Sequence, residues 1–233
     1  MTVTLQKEVP SILILTALLC ILCVVANGKM KKFLENPFRQ PTGLVFAVLT
    51  FVEWIEGMVA QVMGAKRVEG YAPYIGSLAL YLVVANLSGL FGFNTPTMNL
   101  SVTLALAAIT WILIQRASLK TSGVGSYVHG LFEPFPFMVA GNVISKFTPF
   151  ISLSMRLFGN ILSGSVLMSL VYSACSSLTN LLFGWTGLSS FNICGVAIAP
   201  ILHAYFDVFS GCIQMYIFIS LTMAFVSNEL GEE

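Results

Sequence analysis

Charged residues are so sparse along this chain that the apolar stretches between them mark the predicted membrane helices. No charge lies between Glu8 and Lys29, or between Glu69 and Arg116. Each of these gaps is long enough for one or two helices of the roughly 20 apolar residues that a bilayer requires. The pattern predicts an all-α, polytopic membrane protein with about five transmembrane helices and an additional interfacial helix or hairpin.

The predicted helices form a single membrane domain over residues 1–233. The first span covers 10–27, and 41–65 is an interfacial helix or hairpin rather than a full crossing, because basic residues lie at both of its ends. Residues 74–118 make a two-span hairpin around a turn rich in Gly, Asn and Pro. Residues 137–227 make a hairpin of two long helices, which must tilt steeply or bend to stay in the bilayer.

Lysine and arginine are distributed unevenly over the two sides of this topology. Lys7 lies on one side, and eight of the eleven basic residues lie on the other: Lys29, Lys31, Lys32, Arg39, Lys66, Arg67, Arg116 and Lys120. The positive-inside bias makes the basic side cytoplasmic. We therefore expect the N-terminus outside, the C-terminus in the cytoplasm, and an acidic exposed tail at 228–233.

The composition supports a membrane protein and argues against several other classes. Hydrophobic residues make up 57% of the chain and charged residues 9%, whereas about a quarter of an average soluble domain is charged. The net charge of +1, without a basic cluster, gives no indication of nucleic-acid binding. The five cysteines lie in apolar segments without metal-ligand spacing, so we interpret them as small buried hydrophobic side chains and expect no cofactor.

Arg156 is the only charged residue between Lys146 and Asp207. A guanidinium keeps its proton at any accessible pH, and placing it mid-helix in hydrocarbon costs roughly 2.5 to 3.5 kcal/mol. A cost of this size predicts a functional role. Asn160 and Ser163 follow the arginine at positions +4 and +7, which places all three on one helix face.

A second polar stripe lies on the following helix, at regular helical spacing: His203, Asp207, Ser210 and Gln214. When the hairpin is folded about its Gly-rich loop near residue 185, residues pair at a constant sum of 370. Arg156 then meets Gln214, and Ser163 meets Asp207. Facing polar stripes inside a membrane are typical of an ion path, although a static polar clamp between the helices is the structural alternative. For His203 alone, a place at the membrane interface is a further alternative.

Several sequence motifs accompany these stripes. They are SLSMRLFGNILSG around Arg156, FEPFPF upstream, CIQMYIFISLTMAFVS around Gln214, and YLVVANLSGL and NLSVTLALA in the middle spans. From about Phe38 onward, the chain resembles the a subunit of the F-type ATP synthase membrane sector. The resemblance implies a non-catalytic stator subunit that conducts protons or sodium ions through two aqueous half-channels, with the ATP chemistry in other subunits. Its implied partners are the c-ring, peripheral-stalk b subunits, the F1 sector through the stalk, and the lipid bilayer.

The resemblance also implies roles for individual residues. By position, Arg156 is the essential arginine that separates the half-channels, Gln214 is its glutamine partner, and Asn160 is the asparagine of the RLFGN motif. Asp207 occupies the position of an ionisable residue in the inlet half-channel. A fixed cation in the stator favours the ionised form of a passing ring carboxylate, so ion release is forced at one angular position.

The chain departs from the family pattern at two places. Nine residues after the arginine, where relatives commonly carry Glu or His, this chain has Ser165, and His203 is the candidate replacement. Ten or eleven residues before the arginine, where many relatives are acidic, it has Ser145 and Lys146, so no residue is assigned to the cytoplasmic half-channel. Ser163 and its neighbouring serines are compatible with either ion, and the coupling ion stays open.

Two other classes of function are less compatible with the sequence. A self-contained secondary ion transporter is expected to contain internal repeats, and the sequence has none. An intramembrane protease would need GxSxG, HExxH or a pair of aspartates, whereas Asp207 is the only aspartate. The RLFGN motif and the compact chain favour a bacterial plasma membrane, with the mitochondrial inner membrane as the alternative.

Overall fold

The computed structural model describes residues 8–35, 41, 43–91, 95–133, 136–183 and 193–231. Within these ranges the chain is helical and contains no strand, which confirms the predicted fold class. The helices are α1 Glu8–Leu34, α2 Leu44–Met63, α3 Val68–Leu87, α4 Leu100–Leu131, α5 Val139–Phe183, α6 Ile193–His203 and α7 Ser210–Leu230. Short 3₁₀ turns lie at Ala65–Arg67, Ser88–Phe91, Pro96–Met98 and Pro136–Met138, and a π-helix, Ala204–Phe209, joins α6 to α7.

Six helical stretches in the described ranges are long and apolar enough to cross a bilayer. Five of them correspond to the predicted spans. The sixth is α2, for which the sequence predicts an interfacial helix or a hairpin. Because α2 is one continuous helix of 20 residues, the hairpin alternative is wrong, and the interfacial position of the helix stays a prediction.

The fourth helix extends beyond the predicted end of the first hairpin at residue 118. It continues to Leu131 and changes direction at Gly123, where φ is 74° and ψ is 157°. An L-residue with a side chain rarely adopts this backbone conformation, so glycine allows the kink. The second part of α4 therefore leaves the direction of the membrane-spanning part.

The long final hairpin does not fit along the membrane normal. Helix α5 has 45 residues and would be about 68 Å long if straight, against a hydrocarbon core of about 30 Å. Pro149 lies within α5 and Pro200 within α6, and the π-helix follows. Each interrupts the regular hydrogen bonding of the helix, which fits the expectation that these helices bend or tilt. The Gly-rich loop near residue 185 lies outside the described residues.

A packed core lies between α2, α3, α4, α5 and α7. Its largest fully buried side chains include Ile55 of α2, Leu82 of α3, Leu153 of α5 and Phe218 of α7. Helix α1, in contrast, exposes most of its apolar side chains, including Leu13 and others along its whole length. Such a surface is suited to lipid, where helix packing and interhelical hydrogen bonds, rather than the hydrophobic effect, hold helices together.

The cysteines do not follow the interpretation as buried side chains. Cys175 is buried, but Cys20, Cys23 and Cys212 are exposed on the helix surfaces, and the side chain of Cys194 lies outside the described part. A thiol is weakly polar, so a cysteine can face lipid as readily as the protein interior. Apolar sequence around a cysteine therefore did not distinguish these two environments.

Ion pairs and hydrogen bonds gather several helix ends at one end of the bundle. Lys146 Nζ of α5 lies 2.7 Å from Glu229 Oε1 of α7, and Trp111 Nε1 of α4 donates to the Lys146 carbonyl oxygen at 2.7 Å. Arg67, just before α3, donates to the Gly231 carbonyl oxygen at 3.1 Å. We call this the basic end, because the predicted cytoplasmic residues 66, 67, 116 and 120 belong to these helix ends.

Glu229 corrects the expectation of a fully exposed acidic tail. Its side chain is only 25% exposed and pairs with Lys146, which is 31% exposed. The ammonium group of Lys146 also lies 5.3 Å from the centre of the Tyr127 ring. The pair thus ties α5 to α7, whereas residues 232 and 233 lie outside the described part.

At the opposite end of the bundle, α3 and α7 approach closely through an amide and a glycine. Asn86 Nδ2 donates to the Gly211 carbonyl oxygen at 3.1 Å, and Thr97 Oγ1 donates to Asn86 Oδ1 at 3.3 Å. A Cβ atom at position 211 would lie 3.1 Å from the Cβ of Asn86. A side chain at Gly211 would therefore push the two helices apart.

We expect Gly211→Ala to lower the thermal unfolding midpoint of the detergent-solubilised protein, because overpacking costs about 1 to 3 kcal/mol. Gly57→Ala is the matched control, since Gly57 lies within α2 and a Cβ atom added there would have no other atom within 4 Å. That substitution should leave the midpoint unchanged or raise it, because alanine favours helix. Equal midpoints for the two variants would contradict the close approach of α3 and α7.

We expect a double-mutant cycle with Lys146→Gln and Glu229→Gln to give a coupling free energy of about 1 kcal/mol or less, because both side chains are partly exposed. The measurement is the free energy of unfolding in lipid–detergent micelles. The charge exchange Lys146→Glu with Glu229→Lys should recover part of the loss. A coupling of zero, with no recovery, would show that the pair does not tie α5 to α7.

Candidate functional site

Arg156 lies on the surface of α5 as an unneutralised cation. Its side chain is exposed, and no residue in the described ranges forms a hydrogen bond or ion pair with its guanidinium. Neighbouring Gly159 has open space around it, and Met155 is 49% exposed. The cation is therefore accessible to a group that approaches from outside the subunit.

The register of the long hairpin follows the predicted pairing at two places. Ser210 Oγ donates to Asn160 Oδ1 at 3.1 Å. Gly164 lies against the ring of Phe206, with 3.7 Å between the position that a Cβ atom would take and the nearest ring atom. Both pairs have the predicted sum of 370. The register is therefore confirmed between residues 160 and 164 of α5.

Three side chains that can donate or accept protons form a continuous chain of hydrogen bonds, which extends from this part of the hairpin away from Arg156. His203 Nδ1 lies 2.6 Å from Asp207 Oδ2, and His203 Nε2 lies 2.9 Å from the hydroxyl oxygen of Tyr172. His203 belongs to the last turn of α6, Asp207 to the π-helix, and Tyr172 to α5. The candidate replacement at His203 therefore interacts directly with Asp207, and sequence analysis missed the third member, Tyr172.

A cleft of about 470 Å³ brings most of the candidate residues together. Its polar lining comes from α3, the connection between α3 and α4, α5, and the region of the π-helix: Asn86, Thr95, Asn160, Ser165, Ser169, Tyr172, His203 and Asp207. The cleft lies beside the α3–α4 connection, at the end of the bundle opposite the basic end. A cleft this large and polar is suited to water.

Sequence analysis missed Asn86 and Tyr172 in this cleft, although each left a signal. Asn86 is an amide within the apolar segment YLVVANLSGL, and a buried amide in a membrane helix needs a partner. The predicted register pairs His203 with Leu167, and Tyr172 lies five positions further along α5. The side chains of Tyr172 and His203 are long enough to bridge this distance of about one helical turn.

Gln214 does not meet Arg156 as the sequence predicts. It is 5% exposed, its Nε2 has no hydrogen-bond partner, and no hydrogen bond joins it to Arg156 within the described residues. The π-helix at Ala204–Phe209 does not account for this, because Ser210, which follows it, still meets Asn160 in the predicted register. The physical reason is that the register fixes only the level of two residues along the hairpin: the side chain of Arg156 is exposed, whereas Gln214 lies among the buried side chains of the core. Asp207 lines the cleft.

The two candidate serines bind their own helix. Ser163 Oγ donates to the Asn160 carbonyl oxygen at 3.0 Å, and Ser165 Oγ donates to the Leu162 carbonyl oxygen at 2.8 Å. The predicted contact between Ser163 and Asp207 is not formed by a hydrogen bond in the described structure, because Asp207 binds His203 instead. Ser165 nevertheless lines the cleft. In the part of the chain that is described, no cluster of three or more His, Cys, Asp or Glu could hold a metal ion.

Comparison with known families identifies the family of the chain. Residues 9–227 match the family described as ATP synthase A chain. The chain belongs to this family. Its membership, together with the six described helices that can span a membrane, identifies a multi-pass membrane subunit of an ATP synthase and confirms the resemblance on which the residue assignments were based. It does not favour the alternative of a self-contained transporter.

Individual relatives cover much of the chain. The ATP synthase subunit a, sodium ion specific, of Propionigenium modestum is 32% identical over 199 residues, which are 78% of this chain and 62% of the relative. The ATP synthase subunit a of Mycoplasma genitalium is 36% identical over 77% of this chain and 64% of the relative. The corresponding protein of Oceanobacillus iheyensis is 27% identical over 95% of this chain and 90% of the relative. The match thus spans a little under two thirds of the first two proteins and most of the third.

Proposed function

We propose that this protein is the ion-conducting stator subunit of the Fo sector of a rotary ATP synthase. It couples transmembrane proton or sodium flow to rotation of a c-ring, and so to ATP synthesis or hydrolysis in other subunits. The observation that carries the proposal is the exposed guanidinium of Arg156, which has no partner among the described residues. A subunit that needed this cation only for its own stability would pair it internally.

The electrostatics of Arg156 explain the coupling. A neutral carboxyl group on the ring can cross lipid, but a charged one is strongly disfavoured there. The fixed cation stabilises the ionised form as a ring carboxylate passes, which drives ion release at that angle. Arginine is suited to this role because it stays protonated, whereas a desolvated lysine can lose its proton.

The surface around Arg156 is suited to a rotating partner. Gly159 has open space in place of a side chain, and the hydroxyl of Ser163 folds back onto its own helix. A ring helix could therefore approach the guanidinium without meeting a large side chain. We assign the c-ring to this face, and the peripheral-stalk b subunits, with F1 bound through the stalk, to other faces.

We assign the cleft to the inlet half-channel. It lies opposite the basic end, which the positive-inside bias makes cytoplasmic, so the cleft opens to the outside of a bacterial plasma membrane. Asp207 is the ionisable residue of this path, with His203 bonded to it. Asn160, which also lines the cleft, continues the polar path from Asp207 toward the level of Arg156, and Ser165 lines the cleft beside Asp207.

Gln214 is proposed to reach Arg156 by a change of rotamer. Arg156 lies four residues before Asn160, and Gln214 lies four residues after Ser210, which donates to Asn160. The two side chains are therefore at the same level of the antiparallel hairpin. A buried amide N–H without a partner costs about 1 to 3 kcal/mol, which lowers the cost of leaving the buried rotamer.

Arg156→Ala is expected to reduce ATP-driven ion pumping by at least about a hundredfold, because a preorganised charge is lost, while the complex still assembles. Pumping is measured on the complete ATP synthase in liposomes, and assembly by co-purification of its subunits. Arg116→Ala is the matched control, since Arg116 is another exposed arginine, at the basic end. Normal coupled pumping by the Arg156 variant would refute the central assignment.

Asp207→Asn is expected to slow pumping about tenfold, because the inlet loses its proton-accepting or cation-binding carboxylate. Glu133→Gln is the control: Glu133 forms the same i,i+4 pair with His129, at 3.0 Å, but both side chains are highly exposed. That variant should pump at the wild-type rate. An unchanged rate and pH profile for the Asp207 variant would remove this residue from the inlet.

A further inference from the structure

We propose that the ion conducted through the cleft is a proton, and that Tyr172 passes it to Asp207 through His203. The inference rests on the proposed function of the protein and names the ion that it leaves open. It is carried by the unbroken hydrogen bonds of 2.9 Å from Tyr172 to His203 and 2.6 Å from His203 to Asp207. Among the described residues that line the cleft, these three alone have a readily titratable side chain.

The proposal assigns an ionised Asp207 at rest, and this sets the direction of each hydrogen bond. An ionised Asp207 can only accept, so His203 Nδ1 carries the hydrogen and donates it. In the neutral imidazole, Nε2 is then an acceptor, and the hydroxyl of Tyr172 donates to it. All three groups are thus oriented for proton transfer toward the carboxylate.

The chain of hydrogen bonds runs along the hairpin toward the level of Arg156. Tyr172 is 39% exposed, and the side chains of His203 and Asp207 are 39% and 28% exposed. Tyr172 lies sixteen residues beyond Arg156, about 24 Å along the helix, whereas Asp207 lies seven residues before Gln214, about 10 Å from that level. A proton that moves from Tyr172 to Asp207 therefore approaches the cation on which the ring carboxylate depends.

The proposed proton transfer breaks and forms only O–H and N–H bonds. A hydronium ion at the mouth of the cleft protonates the Tyr172 oxygen as the phenol gives its own proton to His203 Nε2. His203 Nδ1 gives its proton to Asp207 Oδ2, which leaves a neutral carboxyl group and the other imidazole tautomer. Asp207 then passes the proton toward the ring. His203 returns to its first tautomer when Nε2 gives a proton to water in the cleft and Nδ1 takes one up from water.

The same geometry disfavours sodium at Asp207. A hard cation binds several oxygen ligands, but the Asp207 oxygen closest to the relay faces an N–H donor at 2.6 Å. The hydroxyls of Ser163 and Ser165, which could have served as ligands, are turned to carbonyl oxygens of their own helix. A sodium ion would have to displace the imidazole before it met the carboxylate.

The test uses the complete ATP synthase in liposomes with F1 on the outside. ATP synthesis is driven by a potassium diffusion potential with valinomycin, at equal pH on both sides, in sodium-free and sodium-containing buffers. The unmodified complex should synthesise ATP at the same rate in both buffers. A requirement for sodium would overturn the inference.

Tyr172→Phe should slow this synthesis by about tenfold, less than the loss of a proton-transfer group usually causes, because a water can replace the hydroxyl. Tyr205→Phe is the matched control, since Tyr205 lies on the π-helix, is 54% exposed, and has no hydrogen bond within the described part. The control should match the wild type. A Tyr172 variant as fast as the Tyr205 variant would also overturn the relay.

His203→Ala separates proton transfer from a structural role. Imidazole added at equal concentration to both compartments should restore synthesis, because it can occupy the space left by the side chain and exchange protons. Pyrrole has a similar shape but no basic nitrogen, and should not restore it. Equal rescue by both compounds would mean that His203 only fills space. If the His203→Ala complex does not assemble, the sodium dependence of the unmodified complex and the Tyr172→Phe variant still test the inference.

Arg156→Ala distinguishes this inference from the function on which it rests. It should abolish synthesis in both buffers. If synthesis depends on Arg156 and also requires sodium, the proposed function stands and the proton relay fails. If the Arg156 variant still synthesises ATP, the proposed function itself fails, whatever the result for Tyr172.

Discussion

The constraint on which this structure depends is the presence of a permanent cation in an apolar helix, with no anion of the described chain to neutralise it. Arg156 is exposed on α5, whereas the other cation in the first half of this helix, Lys146, is bound to Glu229. The contrast shows that the fold can pair a basic residue when pairing serves stability. An unpaired charge at Arg156 is what the proposed interaction with a ring carboxylate requires.

The π-helix is the second element that determines the site. The wider turns at Ala204–Phe209 carry Asp207, which lines the cleft. The register of the hairpin continues across these turns, because Ser210, directly after them, still meets Asn160. The close contact of Gly211 with Asn86 fixes α7 against α3 immediately after the π-helix, and Gln214 is buried three residues further on.

The two ends of the bundle have different chemistry, which gives the molecule a direction. At the basic end, Lys146, Glu229 and Arg67 tie α3, α5 and α7 together through an ion pair and a hydrogen bond to a helix terminus. At the other end, a cleft of about 470 Å³ lies between α3, α5 and the π-helix and is lined by amides, hydroxyls and the His203–Asp207 pair. The cleft that contains the His203–Asp207 pair therefore lies at the end of the bundle opposite the basic end.

The sequence by itself determined the all-helical membrane class, the long final hairpin, the isolated charge of Arg156, and the register that pairs Asn160 with Ser210. These follow from charge spacing and from the regular pitch of an antiparallel helix pair. Only the tertiary structure decided that Gln214 turns inward, that Glu229 pairs with Lys146, and that Tyr172 completes a chain with His203. The physical reason is that periodicity encodes which residues share a face of one regular helix, whereas the burial of that face and the contacts between distant segments depend on how the helices pack.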